Sequence, residues 1–215
     1  MRMQKIPKKL ETISSFYPMI HSILIFMALI CFIKSPGFFN FIFLIFTTYF
    51  LSIVIWKILL SKYDFPEGAA RIGKHAEGGN LWLVYYNLQA VYVGTSLPET
   101  ILKFIPFAYS SWLRLWGSKV GRYVNWAPGC QVVDRAHLNI GDRCLVGNLS
   151  YLSAHIMKKI DNTYTIYVQS IEIGNDCVMS FRATIGPGAV IKDNSFLTSG
   201  QAVYPNQIYQ GNGHE

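Results

Sequence analysis

A chain of 215 residues has room for one domain with its own core and a smaller appendage, but not for two full globular domains. Its residues are 51% hydrophobic, 15% aromatic and only 14% charged, too apolar for an ordinary soluble protein, in which about 25% are charged. The net charge of +7 is scattered apart from Arg2, Lys5, Lys8 and Lys9, which suits a membrane surface better than nucleic acid.

In chain order, the first feature is a pair of uncharged apolar runs, 18 residues from Phe16 to Ile33 and 19 from Phe38 to Trp56, the second extended by Ile58 to Leu60. At about 1.5 Å per residue, each can cross a hydrocarbon core of about 30 Å. Lys34-Ser35-Pro36-Gly37 between them is a turn that only antiparallel helices can share, so residues 1–62 read as a basic N-terminus and a transmembrane helical hairpin. A cleaved signal peptide is the competing reading of the first run. No small-x-small site follows it, and a second run comes at once. Basic residues flank both outer ends (Arg2 to Lys9; Lys57, Lys62, Arg71, Lys74), so both termini, and the domain that follows, are expected in the cytoplasm. His21 in the first run is read as reaching the membrane interface rather than as a functional group.

Residues 63–119 read as a connecting segment. Glycine and charge mark 63–79 as a linker or surface loop. Trp82, Tyr85, Tyr86 and Tyr92 follow, and Ser96-Leu97-Pro98-Glu99 has the spacing of a helix-capping box with proline near the helix start. Phe104, Phe107, Tyr109, Trp112 and Trp116 continue the aromatic theme past Pro106. These helices are expected in the membrane interface, their rings either packing between anchor and domain or forming a channel for a lipid-linked molecule.

Residues 120–213 carry a repeat. Ile173, Met179, Ile185, Ile191, Leu197, Val203 and Tyr209 recur every six residues, with Cys177, Ala183, Ala189, Ser195 and Gln201 four residues after them. An earlier block, Val120, Trp126 and Val132, then Ile140, Val146 and Leu152 after a two-residue slip at Leu138-Asn139, has Val124, Cys130, Ala136, Cys144 and Ser150 at the same offset. A period of six fits a triangular coil with one short strand per side, the large aliphatic inward and the small residue beside it. The offset makes Cys130, Cys144 and Cys177 small buried hydrophobes. All four cysteines lie far from one another and from histidines at ligand spacing, so neither a disulfide framework nor a metal site is expected, and all four, Cys31 included, read as small buried hydrophobes. Glycine beside the aliphatic, as in Val120-Gly121 and Ile173-Gly174, is assigned to corners needing an unusual backbone shape. Ile156 to Ser170 breaks the period and reads as an arm (156–170) leaving the coil.

With aliphatic-glycine pairs at intervals of six, "LSAH" at Leu152 to His155 before the arm, and "VYPNQIYQGNG" at Val203 to Gly213, the region resembles the hexapeptide-repeat acyltransferases. Fused to membrane spans, it is also similar to the membrane-bound hexapeptide domains at the ends of some nonribosomal peptide synthetases. The resemblance implies a left-handed parallel β-helix, a homotrimer and a catalytic histidine at His155, without metal. It further implies an acyl donor, acetyl-CoA, acyl-CoA or an acyl carrier protein, with Arg182, Lys192, Ser199, Gly200 and Gln201 as candidate contacts. Gly213 stands where the family usually has proline.

An imidazole can take a proton from a hydroxyl or amine as that group attacks a thioester. His137 is read as a packing or surface residue, and His75 and His214 as linker and tail. Relatives often carry an acidic residue just after the histidine; here Ile156-Met157-Lys158-Lys159 follows, leaving Asp134 and Asp161 as candidates to orient His155. A membrane anchor makes a lipid or lipid-linked acceptor the economical expectation. A sugar or polysaccharide O-acetyltransferase is a substrate variant of the same reading. The competing class is a non-catalytic trimeric scaffold; a γ-type carbonic anhydrase, which needs three histidines meeting a zinc, is disfavoured because only His137 and His155 lie in the coil.

Overall fold

The computed structural model describes residues 3–72, 78–160 and 163–211; Arg2, Lys74, His75, Asp161, Asn212, Gly213 and His214 lie outside them. The chain divides into two compact units, one built from 3–66 and 78–98, the other from 67–72 and 99–211.

The first unit is helical. Helix α1 (Lys8–Ser14) leads into α2 (Tyr17–Lys34), and after the Pro-Gly turn α3 (Phe38–Ile45) continues through a π-helical stretch, Phe46–Phe50, into α4 (Leu51–Leu60). Two helical stretches, Lys8–Lys34 and Phe38–Leu60, are long and apolar enough to cross a membrane. Few of their side chains are buried, and Ile23, Phe26, Met27, Phe39, Ile42 and Phe43 are exposed, so neither is the core helix of a globule. Cys31, expected to be buried, is exposed on α2. Helix α5 (Leu81–Gly94) is capped by the Asn80 side chain, which accepts from Trp82 N, and packs against α2 and α4. Trp56 and Tyr85 meet at 4.6 Å between centroids in the centre of that packing.

His21 is fully buried here instead of reaching an interface. Its Nε2 lies 2.8 Å from the Thr47 carbonyl and its Nδ1 3.4 Å from Ser52 Oγ, which also meets the Tyr17 hydroxyl at 2.8 Å. A π-turn shifts the helical hydrogen bonds by one residue, and its carbonyls are then open to side-chain donors.

The second unit is a coil of parallel strands, the arrangement of a β-helix, whose three sheets form the faces of a prism. Face one stacks Lys119–Val120, Leu138–Ile140, Ile171–Ile173, Val190–Ile191 and Ile208–Tyr209. Face two stacks Asn125–Trp126, Leu145–Val146, Val178–Met179 and Phe196–Leu197; face three stacks Gln131–Val132, Tyr151–Leu152, Thr184–Ile185 and Ala202–Val203. The predicted aliphatic register is the observed one: Val120, Ile140, Ile173 and Ile191 pair in turn down face one. Val132, Val146, Leu152, Met179, Ile185, Leu197 and Val203 are buried with Cys130, Cys144, Cys177, Ala183, Ala189 and Ser195 beside them. The two buried thiols of successive rungs donate onward, Cys144 to the Gly174 carbonyl and Cys177 to that of Lys192, both at 3.1 Å. Burial pushes the Cys130 thiol up to about 11.

Glycine follows the aliphatic for a different reason from the one expected. A Cβ at Gly174 would lie 2.1 Å from Asp193 Oδ1 and 2.6 Å from Asp193 N. That carboxylate accepts from Asn175 N, just as Asn175 Oδ1 accepts from Asp142 N and Asp142 Oδ1 from Arg122 N, in a ladder down one corner. The glycines make room for this ladder, whereas the left-handed corner positions belong to other residues, including Arg143, Asp176, Arg182, Asn194 and Asn206.

Two short helices pack against the first rung. Helix α6 (Leu97–Phe104) starts directly after Ser96 as the capping box predicts, and Phe107, held at φ 64° after Pro106, opens α7 (Ala108–Trp116). On α6 the charged residues face inward: Glu99 forms a buried ion pair with Arg135 at 2.6 Å, and Lys103 donates to the Cys130 carbonyl at 2.6 Å. At the other end, the Tyr209 hydroxyl donates to the Phe196 carbonyl.

The arm is an antiparallel hairpin, His155–Ile160 with Thr163–Val168, and gains a third strand from Gly68–Ile72. Part of the stretch read as a linker is therefore sheet. Glu67 ties it down by accepting hydrogen bonds from Ser170 N and Oγ.

Candidate active site

His155 is the first residue of the arm, at the corner where face three turns into face one. Two interruptions of the period stack at this corner. In the first rung the step from Val132 to Ile140 is eight residues instead of six, so 133–137 form an enlarged corner, every residue of it buried. In the next rung the arm leaves at the same corner. The strand register, Gln131 opposite Tyr151 and Val132 opposite Leu152, carries Asp134 over Ala154 and His155.

The Asp134 carboxylate is fully buried, and its Oδ2 accepts from the Ala154 amide at 2.9 Å and lies 2.7 Å from His155 Nδ1. The imidazole is 17% exposed. Nδ1–H donates to the carboxylate, which fixes the tautomer and leaves the lone pair on Nε2. Ser153, buried beside it, donates to the His155 carbonyl at 3.1 Å and so fixes the backbone that carries the ring. Of the two candidates to orient His155, Asp134 is thus in place, and Asp161 lies outside the described residues. His137 is fully buried in the enlarged corner.

His155 lines a cavity of ≈370 Å³. Tyr151, Ile156, Met157, Pro187, Tyr204 and Pro205 supply mostly apolar walls, with Gly186 and Ala202 opening the floor. Among the described residues no cluster of three or more His, Cys, Asp or Glu side chains could hold a metal.

The proposed donor contacts do not form one group with His155 in a single chain. Arg182, its guanidinium 5.0 Å from the Phe181 ring, stands with Ser199 and Gly200 at the corner between faces two and three, where Gly200 N donates to the Phe181 carbonyl. A Cβ on Gly200 would meet nothing within 4 Å, so this corner is open, and its φ of 76° favours glycine. Gln201 is turned to the coil instead, its Oε1 accepting from Thr198 N at 2.8 Å. Lys192 lies at the third corner, between faces one and two, in a polar groove of ≈610 Å³ with Lys119, Glu172, Asp193 and Asn194. Face three therefore joins the Arg182 corner to the His155 corner, and Lys192 belongs to neither.

No protein-family model and no curated protein matches the chain. Among solved structures, the chain is similar to a hexapeptide-repeat-containing acetyltransferase from Vibrio cholerae O1 biovar eltor, complexed with acetyl coenzyme A, at 18% identity and a TM-score of 0.32. The match covers 43% of this chain and 54% of that one, so the chain spans about half the length of the matched structure.

Proposed function

We propose that the chain is a membrane-anchored acyltransferase with a left-handed β-helix, moving an acyl group from acetyl-CoA, acyl-CoA or an acyl carrier protein to a membrane-associated acceptor. The observation that carries this reading is the Asp134–His155 pair at the edge of an apolar cavity. Nε2 of His155 takes the proton from the acceptor's hydroxyl or amine as its oxygen or nitrogen bonds to the thioester carbonyl carbon. Asp134 stabilises the resulting imidazolium. Collapse of the tetrahedral adduct breaks the carbon–sulfur bond, and the departing thiolate receives the proton back from His155.

A donor laid across face three would have its phosphates near Arg182 and its pantetheine arm past Ser199 and Gly200, with the thioester at His155. Lys192 would reach the same donor only from a second subunit, which suits a homotrimer. The exposed apolar helices of the first unit support insertion in a bilayer. The flanking basic residues support a cytoplasmic location for both termini and the catalytic unit. An acceptor with a lipid portion would then be delivered by the membrane itself.

The test is thioester consumption by detergent-purified protein, with acetyl-CoA and a long-chain acyl-CoA in turn, in the presence of extracted membrane lipids. Acceptor-dependent thiol release by the wild type and its loss in His155→Ala is the expected result. Equal turnover in the mutant removes His155 from the mechanism, and no turnover with either donor turns the case toward a scaffold.

A further inference from the structure

Helix α6 is inverted relative to a helix that packs its apolar side on a soluble domain. Glu99 and Lys103 are turned to the coil, where they meet Arg135 and the Cys130 carbonyl, while Ile101, Phe104 and Ile105, at spacings of three and four, share the outward side. Phe104 is 69% exposed. After Pro106, Phe107 is held at φ 64°, a backbone shape that a bulky residue seldom takes, yet it is 66% exposed, so packing within the chain does little to hold it there. Ile105 and Phe107 border one hollow of ≈310 Å³ with Trp126, and Leu115 continues the exposed apolar edge along α7. The rings that stand out in the sequence, Tyr109, Trp112 and Trp116, are buried in packing and take no part in this edge.

The charge around the edge has one sign. Residues 101–133 include Lys103, Arg114, Lys119 and Arg122 but no Asp or Glu. Arg114, Lys119 and Arg122 are exposed at the start of the coil, with Arg114 fixed by donating to the Val120 and Gly121 carbonyls. Asp142 of the next turn accepts from the Arg122 amide and is half-buried. We infer that the α6–α7 edge of the coil unit is a membrane-docking surface, seating Ile101, Phe104, Ile105, Phe107 and Leu115 in the headgroup layer of an anionic phospholipid bilayer. Exposed apolar side chains bordered by cations are the pattern that a negatively charged lipid surface attracts. The seat is shallow, about 5–10 Å into the boundary between headgroups and acyl chains, and Glu99, Lys103 and Arg135 lie on the opposite side of α6, so the coil stays in water. The inference rests on the membrane reading proposed above and adds to it a contact made by the catalytic unit itself.

The test uses the full chain with Cys31→Ala, so that the remaining native cysteines are the buried ones of the coil. Single cysteines are added at Phe104→Cys on the edge and at Phe26→Cys on exposed hairpin surface. Each is labelled with bimane and reconstituted in phosphatidylcholine vesicles with or without phosphatidylserine, the lipids bearing a nitroxide at the headgroup or along the acyl chain. The expected result is acyl-chain quenching at Phe26→Cys in both vesicles, and headgroup quenching at Phe104→Cys that is stronger with phosphatidylserine and weakens as salt is added. Quenching at Phe26→Cys with none at Phe104→Cys overturns the inference and leaves the hairpin in the bilayer. Equal quenching at Phe104→Cys with and without phosphatidylserine overturns the choice of an anionic surface. Absence of lipid quenching at both positions overturns the membrane reading and the inference with it.

Discussion

Asp134 Oδ2 stands 2.7 Å from His155 Nδ1 although the two residues are 21 positions apart in the chain. A regular rung of this coil repeats every 18 residues, as between Glu172 and Val190. The two-residue enlargement of the corner at 133–137 is what carries the carboxylate to the imidazole.

If that contact orients the ring, Asp134→Asn lowers kcat about ten- to a hundredfold, with KM for the donor changed little. His155→Ala lowers it by about 10² to 10⁴. Steady-state kinetics with an identified acceptor, beside circular dichroism showing an unchanged fold, checks both. A kcat for Asp134→Asn equal to wild type would reduce the aspartate to a corner-closing residue for the Ala154 amide.

The Glu99–Arg135 pair is buried on both sides, with side-chain exposures of 4% and 2%. Glu99→Ala strands the guanidinium and costs about 3–5 kcal/mol, and a companion Arg135→Met recovers most of the loss. Unfolding midpoints of the single and double variants in one detergent measure the coupling. Additive losses would mean that the pair contributes through packing alone.

Two glycines separate crowding from backbone strain. Gly174→Ala drives a methyl into Asp193 and its backbone amide, whereas Gly200→Ala meets open space and carries only the left-handed backbone cost, about 1–2 kcal/mol. The first variant is expected to melt well below the second, and the reverse order would contradict the ladder of carboxamide and carboxylate caps.

Cys130 supplies a pH dependence with a definite sign. Its thiol stays protonated in the folded chain up to about 11, while an unfolded cysteine ionises near 8.5. Below pH 8.5 its full contribution is present; between about 8.5 and 11 the unfolded state binds fewer protons and stability falls, by about 3 kcal/mol over the window. Cys130→Ala removes that part of the alkaline loss. Melting curves of both proteins at pH 8 and 10.5 should converge at the higher value, and parallel curves would refute the assignment.

Much of this architecture was legible in the sequence because a period of six forces a recurring inward position. Ile173 through Val203 could be assigned to the prism core without any coordinates. The uncharged runs at Phe16 and Phe38 and the break after His155 were equally plain. The orienting carboxylate was only one of two candidates, since its role depends on which corner the slip at Leu138-Asn139 enlarges. The signal was present nonetheless: both departures from the period, the slip and the arm, fall after a face-three strand in consecutive rungs. The strand Gly68–Ile72 was hidden for another reason. A short glycine- and alanine-rich segment has little propensity of its own and becomes a strand only because the arm offers an edge. The corner glycines were found, but their cause was mistaken: crowding by Asp142, Asn175 and Asp193 from the neighbouring rung is not visible in local backbone preference.

The stacked enlargement also separates length from chemistry. Asp134 and His155 are both supplied by the first two turns of the coil, and the turns beyond contribute walls rather than reacting groups. A descendant could therefore gain whole turns after Tyr209, changing how far its surface extends, while keeping its proton-transfer pair untouched. By the same token, a single-residue deletion between Val132 and Ile140 would leave every buried aliphatic of the later turns in register with its neighbours and still dismantle that pair.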